Sequence, residues 1–366
     1  MLNIKILLIT NMYPTEEKPS FGIFVKNIAD FLKNQKNIRL QTVSPKGKNK
    51  IIKYINFYIE SFKAIKSNSW DVIYVHYYTH SVFPVFIHKL INKNNKYKLL
   101  VHIHGGDLIP ENIISRILIK IMYLFQSVVD YFIVPSNYSA NVLKEKYKIP
   151  KKKIFIYPSG GVDTNLFRPI DKYECRRKLG IKENEFIIGF VSRLDKGKGW
   201  DIFLDALSML SKEKIKFKSI VVGDGKEKLL FLNKLSNLNL QNKVVYLGVK
   251  PHYELPIIYN SMDLFVFPTL LKESLGLVGL EAMACGVPVI GSRIGGLKDY
   301  IEEGKNGFFF KPGDSKDLYR KISQFYNLPQ EIKRKIRNNA LSTAKNFSSE
   351  KVNKELLNFI LEVCLQ

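Results

Sequence analysis

Apolar runs of strand length alternate with helical periodicity along the chain. Ile4–Thr10 is followed by a turn-rich segment and a helix over Gly22–Lys33. Strand-like runs recur at Val72–His76, Leu99–His104, Tyr131–Val134 and Lys153–Ile156. A second series runs through Phe186–Val191, Ser219–Val222, Val244–Leu247, Leu264–Phe267 and Pro288–Ile290. Strands alternating with helices of about 10–15 residues predict βαβ units around a parallel sheet. The polar stretch Gly161–Asn184 separates the two series, so the pattern predicts two doubly wound α/β domains, 1–170 and 171–348, with the boundary near Pro169–Arg177. Residues 349–366 read as an amphipathic helix expected to pack back on the first domain. Ligands of open parallel sheets bind beyond the carboxyl ends of the strands. Two such domains facing each other would therefore bind across a cleft.

Composition changes this picture in one respect. Hydrophobic residues make up 46% and charged residues 25%, as in ordinary globular proteins. The net charge, however, is +24. Residues 1–170 carry 25 Lys and Arg against 10 Asp and Glu, or +15; the remainder carries 32 against 23, or +9. The excess implies an anionic partner, whether nucleic acid, phosphorylated substrate or lipid surface. Three scattered cysteines, Cys175, Cys285 and Cys364, argue against a disulfide framework or a zinc site. Arg116, Lys120 and Asp130 interrupt the longest apolar tract, Ile113–Val134, which argues against a membrane span. With no signal peptide legible before Ile4, the expected location is cytoplasmic.

The strongest chemical signal is Glu273-Ser274-Leu275-Gly276-Leu277-Val278-Gly279-Leu280-Glu281. It follows the apolar run Leu264–Phe267 and a turn at Pro268, so Glu273 is expected in a loop that opens a helix. The amides that follow would lie unpaired at the helix N-terminus, where a phosphate binds readily. Glu281 falls inside an apolar stretch, and a buried carboxylate requires a partner. That partner is either a structural cation or a ligand. A second signal, Gly189 to Gly199, places Arg193 and Lys198 among glycines at a strand end. Arginine grips phosphate oxygens as a fork and lysine acts as a point charge, so this pair suits a diphosphate. The alternative is a solvated basic turn.

In order and spacing, these segments resemble the family 4 glycosyltransferases, retaining enzymes of the GT-B fold. The likeness runs over nearly the whole chain. It takes in Tyr13-Pro14 with Phe21-Gly22, His104-Gly105-Gly106-Asp107, and Gly161-Val162-Asp163-Thr164 with Phe167. It continues through Ser192-Arg193-Leu194 with Lys198-Gly199, Val222-Gly223-Asp224-Gly225, Glu273–Ile290, Gly295-Gly296 and Gly304–Gly307. The resemblance implies that Arg193 and Lys198 neutralise the donor diphosphate. It further implies that Glu281 holds the ribose, that Glu273 contacts the transferred sugar, and that amides near Gly276 and Leu277 join the phosphate site. Gly22 would lie close to the phosphates, and His104 beside the anomeric carbon. His102, two residues earlier, is expected on the opposite face as a core or hinge histidine. The loop Asn11–Gly22 has one glycine where many members have more, and Lys298-Asp299 replaces a common Pro-Glu.

No D-x-D occurs in the chain, so the expectation is a metal-independent enzyme with no cofactor beyond its nucleotide-diphosphate sugar donor. The segment Lys46–Lys66 holds six lysines interleaved with Ile51, Ile55, Tyr58, Phe62 and Ile65 at helical spacing. That is the pattern of an interfacial membrane helix, or of a helix packing its stripe on the core. The resemblance favours a glycan or lipid-linked acceptor at the cytoplasmic membrane face, in bacterial surface-polysaccharide assembly. A different enzyme of the same fold and a nucleic-acid-binding protein are the other readings. The second lacks any nucleic-acid-binding motif, so no nucleic-acid partner is expected.

Overall fold

The computed structural model describes residues 3–18, 21–67, 69–92, 95–108, 113–182, 184–213 and 215–365. It divides into two compact units, Met1–Gly160 with Val352–Gln366, and Gly161–Lys351.

Among the described residues the first unit holds six parallel strands: β1 (Ile4–Thr10), β2 (Ile38–Val43), β3 (Val72–His76), β4 (Lys98–His102), β5 (Tyr131–Val134) and β6 (Ile154–Ile156). Their order across the sheet is β2-β1-β3-β4-β5-β6. The central strands β3 and β4 are almost wholly buried, as expected of a parallel sheet covered on both faces. One face carries Leu7, Ile9, Ile73, Val75, Leu99 and Val101; the other carries Ile6, Leu8, Tyr74 and Leu100. Val352, Leu356, Ile360 and Val363, from helix Ser349–Leu365, join that second face.

The second unit repeats the plan with β7 (Phe186–Val191), β8 (Phe217–Val222), β9 (Val244–Tyr246), β10 (Leu264–Phe267), β11 (Val289–Ser292) and β12 (Gly307–Phe310). The order is β12-β11-β10-β7-β8-β9, all parallel. Within the unit this is the doubly wound order 3-2-1-4-5-6 read backwards, and its winding direction reverses between β7 and β10. Ligands of such sheets bind at that reversal.

Three features differ from the sequence reading. First, the chain passes from one unit to the other at Gly160–Gly161, and residues 161–170 pack with the second unit. Phe167 is buried in its core, the Val162 amide donates to Phe347 O at 2.8 Å, and the Ile170 amide donates to Asn260 Oδ1 at 2.8 Å. A polar stretch therefore runs on past the true junction. Second, β2 and β12 lie outside the apolar runs that the sequence pattern marks as strands. Third, the apolar residues of the basic segment do not form one stripe. In helix Lys50–Ser67 the core takes Phe57, Ser61, Ala64 and Ile65, while Ile51, Ile52, Ile55 and Ile59 face outward.

Candidate functional site

The reversal in the second unit is where the sequence motifs converge. Arg193 and Lys198 lie in the loop after β7, and Glu273 in the loop after β10. Lys198 Nζ stands 2.7 Å from Glu273 Oε1, and both side chains are largely shielded. Thr269 Oγ1 donates to the same carboxylate oxygen at 3.1 Å. The Glu273 carbonyl in turn accepts the Gly296 amide at 2.8 Å, which ties the loop to the Gly295-Gly296 turn. Arg193 is different. It is 71% exposed and paired with Asp195 at 2.7 Å, so its guanidinium is available at the surface of the loop.

Gly276 caps helix Leu277–Ala284 with φ 88°, a conformation that favours glycine. A Cβ there would also lie 2.8 Å from the Phe267 ring. The Gly279 amide bonds back to Gly276 O at 3.1 Å, while among the described residues those of Leu277 and Val278 have no intrahelical partner and carry the positive end of the helix dipole. Glu281 lies farther along the same helix, 8% exposed. Among the described residues its partners are neither lysine nor arginine. His252 Nε2 lies 3.1 Å from Oε1, and Tyr259 OH donates to Oε2 at 3.1 Å. The carboxylate raises the pKa of His252 above its ordinary value, chiefly through that hydrogen bond. Sequence reasoning missed His252 and Tyr259, since each joins Glu281 only through the fold.

The first unit carries its own cluster at the ends of β1, β3 and β4. Gly22 caps helix Ile23–Lys33 with φ 72°, and a Cβ there would sit 2.6 Å from the Met12 backbone. Phe24, in the first turn of that helix, brings its ring centroid within 5.1 Å of His104. β4 ends at His102 instead of reaching His104, which occupies the loop before the short helix Gly105–Leu108. Asp107, fully buried, accepts the amides of His104, Tyr78 and Thr79 and the Thr79 hydroxyl at 2.9–3.2 Å. This carboxylate pins the turn after β3 to the loop after β4.

His104 does not stand apart from His102. Residues two apart along a strand return to the same face, and here the two rings stack with centroids 4.6 Å apart, 14° between planes. His102 is a core histidine, bonded through Nδ1 to Tyr74 OH at 2.8 Å. His76, the last residue of β3, completes the group, with Nδ1 3.2 Å from His104 Nε2. Burial pushes His104 down to about 3, and His76 and His102 well below the usual histidine value, so all three are neutral at physiological pH. One ring nitrogen from each of the three lies within 4.8 Å of the other two. The planes, however, are only 14°, 25° and 37° apart, so their in-plane lone pairs run side by side instead of converging on one point. A shared metal would need the rings to turn.

Two doubly wound units, with phosphate-type loops at the reversal of the second, define the GT-B class of glycosyltransferases. HepE of Anabaena, in complex with UDP and glucose, superposes with a TM-score of 0.77 at 21% identity, over 98% of this chain and 100% of that one. Sucrose-phosphate synthase of Thermosynechococcus elongatus gives 0.80 at 19% identity, over 98% and 99%. Residues 171–343 match the family model "Glycosyl transferases group 1", and residues 4–166 match "Glycosyltransferase Family 4". The chain belongs to this group 1, family 4 glycosyltransferase family. Among its relatives, the N-acetyl-alpha-D-glucosaminyl L-malate synthase of Bacillus anthracis is 27% identical over 287 residues, 77% of this chain and 72% of that protein.

Proposed function

We propose that the protein transfers a sugar, with retention of anomeric configuration, from a nucleotide-diphosphate sugar to a hydroxyl of a glycan or lipid-linked acceptor. The observation that carries this reading is the helix Leu277–Ala284. It presents Glu273 beside Lys198 at its N-terminal side, and a buried Glu281 farther along, at the reversal of a doubly wound sheet. A nucleotide laid along that helix meets a carboxylate suited to ribose hydroxyls at Glu281. Its diphosphate meets the amides after Gly276 and the cations Lys198 and Arg193. Its sugar lies toward Glu273.

In this mechanism the bond from the anomeric carbon to the diphosphate breaks while Arg193, Lys198 and the helix amides take up the developing charge. The acceptor hydroxyl attacks from the face the diphosphate leaves, and its proton passes to a departing phosphate oxygen. His104, in the N-terminal acceptor-binding domain near Gly22, offers a neutral hydrogen-bonding edge to the sugar. A neutral imidazole suits a transition state whose ring carbon gains positive charge. No catalytic metal is required, because the cations serve the leaving group.

The setting proposed is bacterial surface-polysaccharide assembly at the inner face of the cytoplasmic membrane. No helix among the described residues is long and apolar enough to cross a membrane. Contact through 46–66 is supported by Ile51, Ile52, Ile55 and Ile59, exposed on helix Lys50–Ser67 in the more basic half of the chain. The direct test of the donor site is a thermal-shift series with nucleotide-diphosphate sugars. A saturable rise in Tm with one of them, lost in Lys198→Ala, is expected. No shift with any of a broad panel would refute the reading.

A further inference from the structure

The histidine cluster contains a relationship that the proposed reaction does not by itself require. His76 is fully buried, and among the described residues its Nε2 has no hydrogen-bond partner. Its other nitrogen, Nδ1, faces His104 Nε2 at 3.2 Å. Both imidazoles are neutral, so each has one N–H and one lone pair, and one ring must donate to the other. Two arrangements satisfy that contact. In one, His104 donates from Nε2 and His76 keeps its own proton on the orphaned Nε2. In the other, His76 donates from Nδ1, and its orphaned Nε2 is a bare lone pair. Orphaned buried N–H groups are the rarer defect in folded proteins, which favours the second arrangement.

We infer that His76 is a positioning residue, whose Nδ1–H holds His104 as the tautomer protonated on Nδ1 and so aims a neutral N–H donor at the substrate. The inference rests on the reading of His104 as a substrate-contacting group. The surroundings of His104 keep the ring from turning away. Tyr77 stacks on it with centroids 4.3 Å apart, and His102 stacks at 4.6 Å. Tyr77 does so from a backbone conformation, φ 68° and ψ 99°, that non-glycine residues rarely adopt. Asp107 holds both sides of this arrangement, accepting the His104 amide at 3.1 Å and the amides of Tyr78 and Thr79. Among the described residues Nδ1 of His104 has no protein partner, which leaves its proton for a substrate oxygen.

The test uses the full chain and three substitutions at one position. Asparagine places an amide nitrogen near the position of histidine Nδ1, whereas glutamine places its amide near Nε2. His76→Ala and His76→Gln should each lower kcat about 10-fold, the worth of one oriented hydrogen bond, with donor KM within about twofold. His76→Asn should retain most of the parent's kcat. Nitrogen-15 histidine spectra should show His104 protonated on Nδ1 in the parent and shifted toward Nε2 in His76→Ala. Equal losses in all three variants, or a parent His104 protonated on Nε2, would overturn the inference. Full activity in a folded His104→Ala would instead overturn the underlying role of His104, and so separates the two failures.

Discussion

Glu281 Oε1 and His252 Nε2 lie 3.1 Å apart, although the two residues are separated by 29 positions in the chain. The imidazole lies on the solvent side of the carboxylate, 62% exposed against 11%, while Tyr259 closes the inner side. A ribose bound at Glu281 as proposed would therefore share or displace the outer partner, His252. The inner partner, buried Tyr259, can stay.

This pair makes stability sensitive to pH in a defined direction. The pKa of His252 is raised by Glu281, with Asp163 adding to the effect. A group whose folded pKa exceeds its unfolded value of about 6.5 contributes fully below that pH and loses its contribution as pH climbs through the folded value. The parent should therefore exceed His252→Gln in Tm at about pH 6 and converge with it near pH 8.5. The gap should be small, about 1 °C, because the side chain is well solvated. Differential scanning fluorimetry at the two pH values checks this, and a gap that widens with pH contradicts it.

Glu281→Ala and Arg193→Ala should each reduce transfer at least ~100-fold while leaving the fold intact. The Arg193 variant is the sharper probe. Its guanidinium is exposed and, among the described residues, paired across its own loop with Asp195, so loss of activity cannot be blamed on a damaged core. Near-parental turnover in both variants, with unchanged circular dichroism, would remove the donor site from these residues.

Asp107→Asn should destabilise the protein by about 2–4 kcal/mol. The carboxylate accepts four hydrogen bonds in a fully buried place, and an amide nitrogen would oppose donors on one side. Urea unfolding followed by fluorescence measures the change. A midpoint equal to the parent's would mean that the turn after β3 and the loop after β4 are held by something else.

The exposed isoleucines of helix Lys50–Ser67 should govern lipid binding. Ile51→Ser with Ile55→Ser should reduce co-sedimentation with anionic vesicles, and so should raised salt or Lys48→Glu with Lys53→Glu. Their exposure means that Tm should barely change. A parent protein that never sediments with such vesicles would leave the outward isoleucines without a lipid role.

The residues of the proposed donor site are legible in the sequence because they stand at the ends of long apolar runs. Arg193 follows Phe186–Val191 and Glu273 follows Leu264–Phe267, and doubly wound sheets place ligands at such ends. The strands that escaped notice are short or half polar. β2 alternates Arg39 and Gln41 with apolar neighbours, and β12 hides its four residues behind a glycine-rich turn. His76, His252 and Tyr259 could not be assigned from spacing at all. Each acquires its partner through sheet order or helix packing, and no local pattern records that. His102 is a different matter, since the period of two along a strand already places it beside His104.

Stereochemistry and metal content test the proposed reaction most directly. An α-linked donor should yield an α-linked product, read from the anomeric proton coupling. Activity should survive exhaustive EDTA treatment, because Lys198, Arg193 and the helix amides after Gly276 supply the positive charge. A β-linked product would overturn the front-face route, and activity restored only by added Mn²⁺ would overturn the metal-free leaving group.

The return of helix Ser349–Leu365 to the first unit has a consequence for biosynthesis. Val352, Leu356, Ile360 and Val363 fill the same core face as Ile4, Ile6, Leu8 and Val25. A ribosome makes those two sets of residues at opposite ends of its task. The half written first therefore carries an uncovered apolar face until residues 352–365 emerge, while the continuous stretch Gly161–Lys351 already holds every strand of its own sheet. The order of synthesis and the order of completion are thus reversed: the unit begun first is the one finished last.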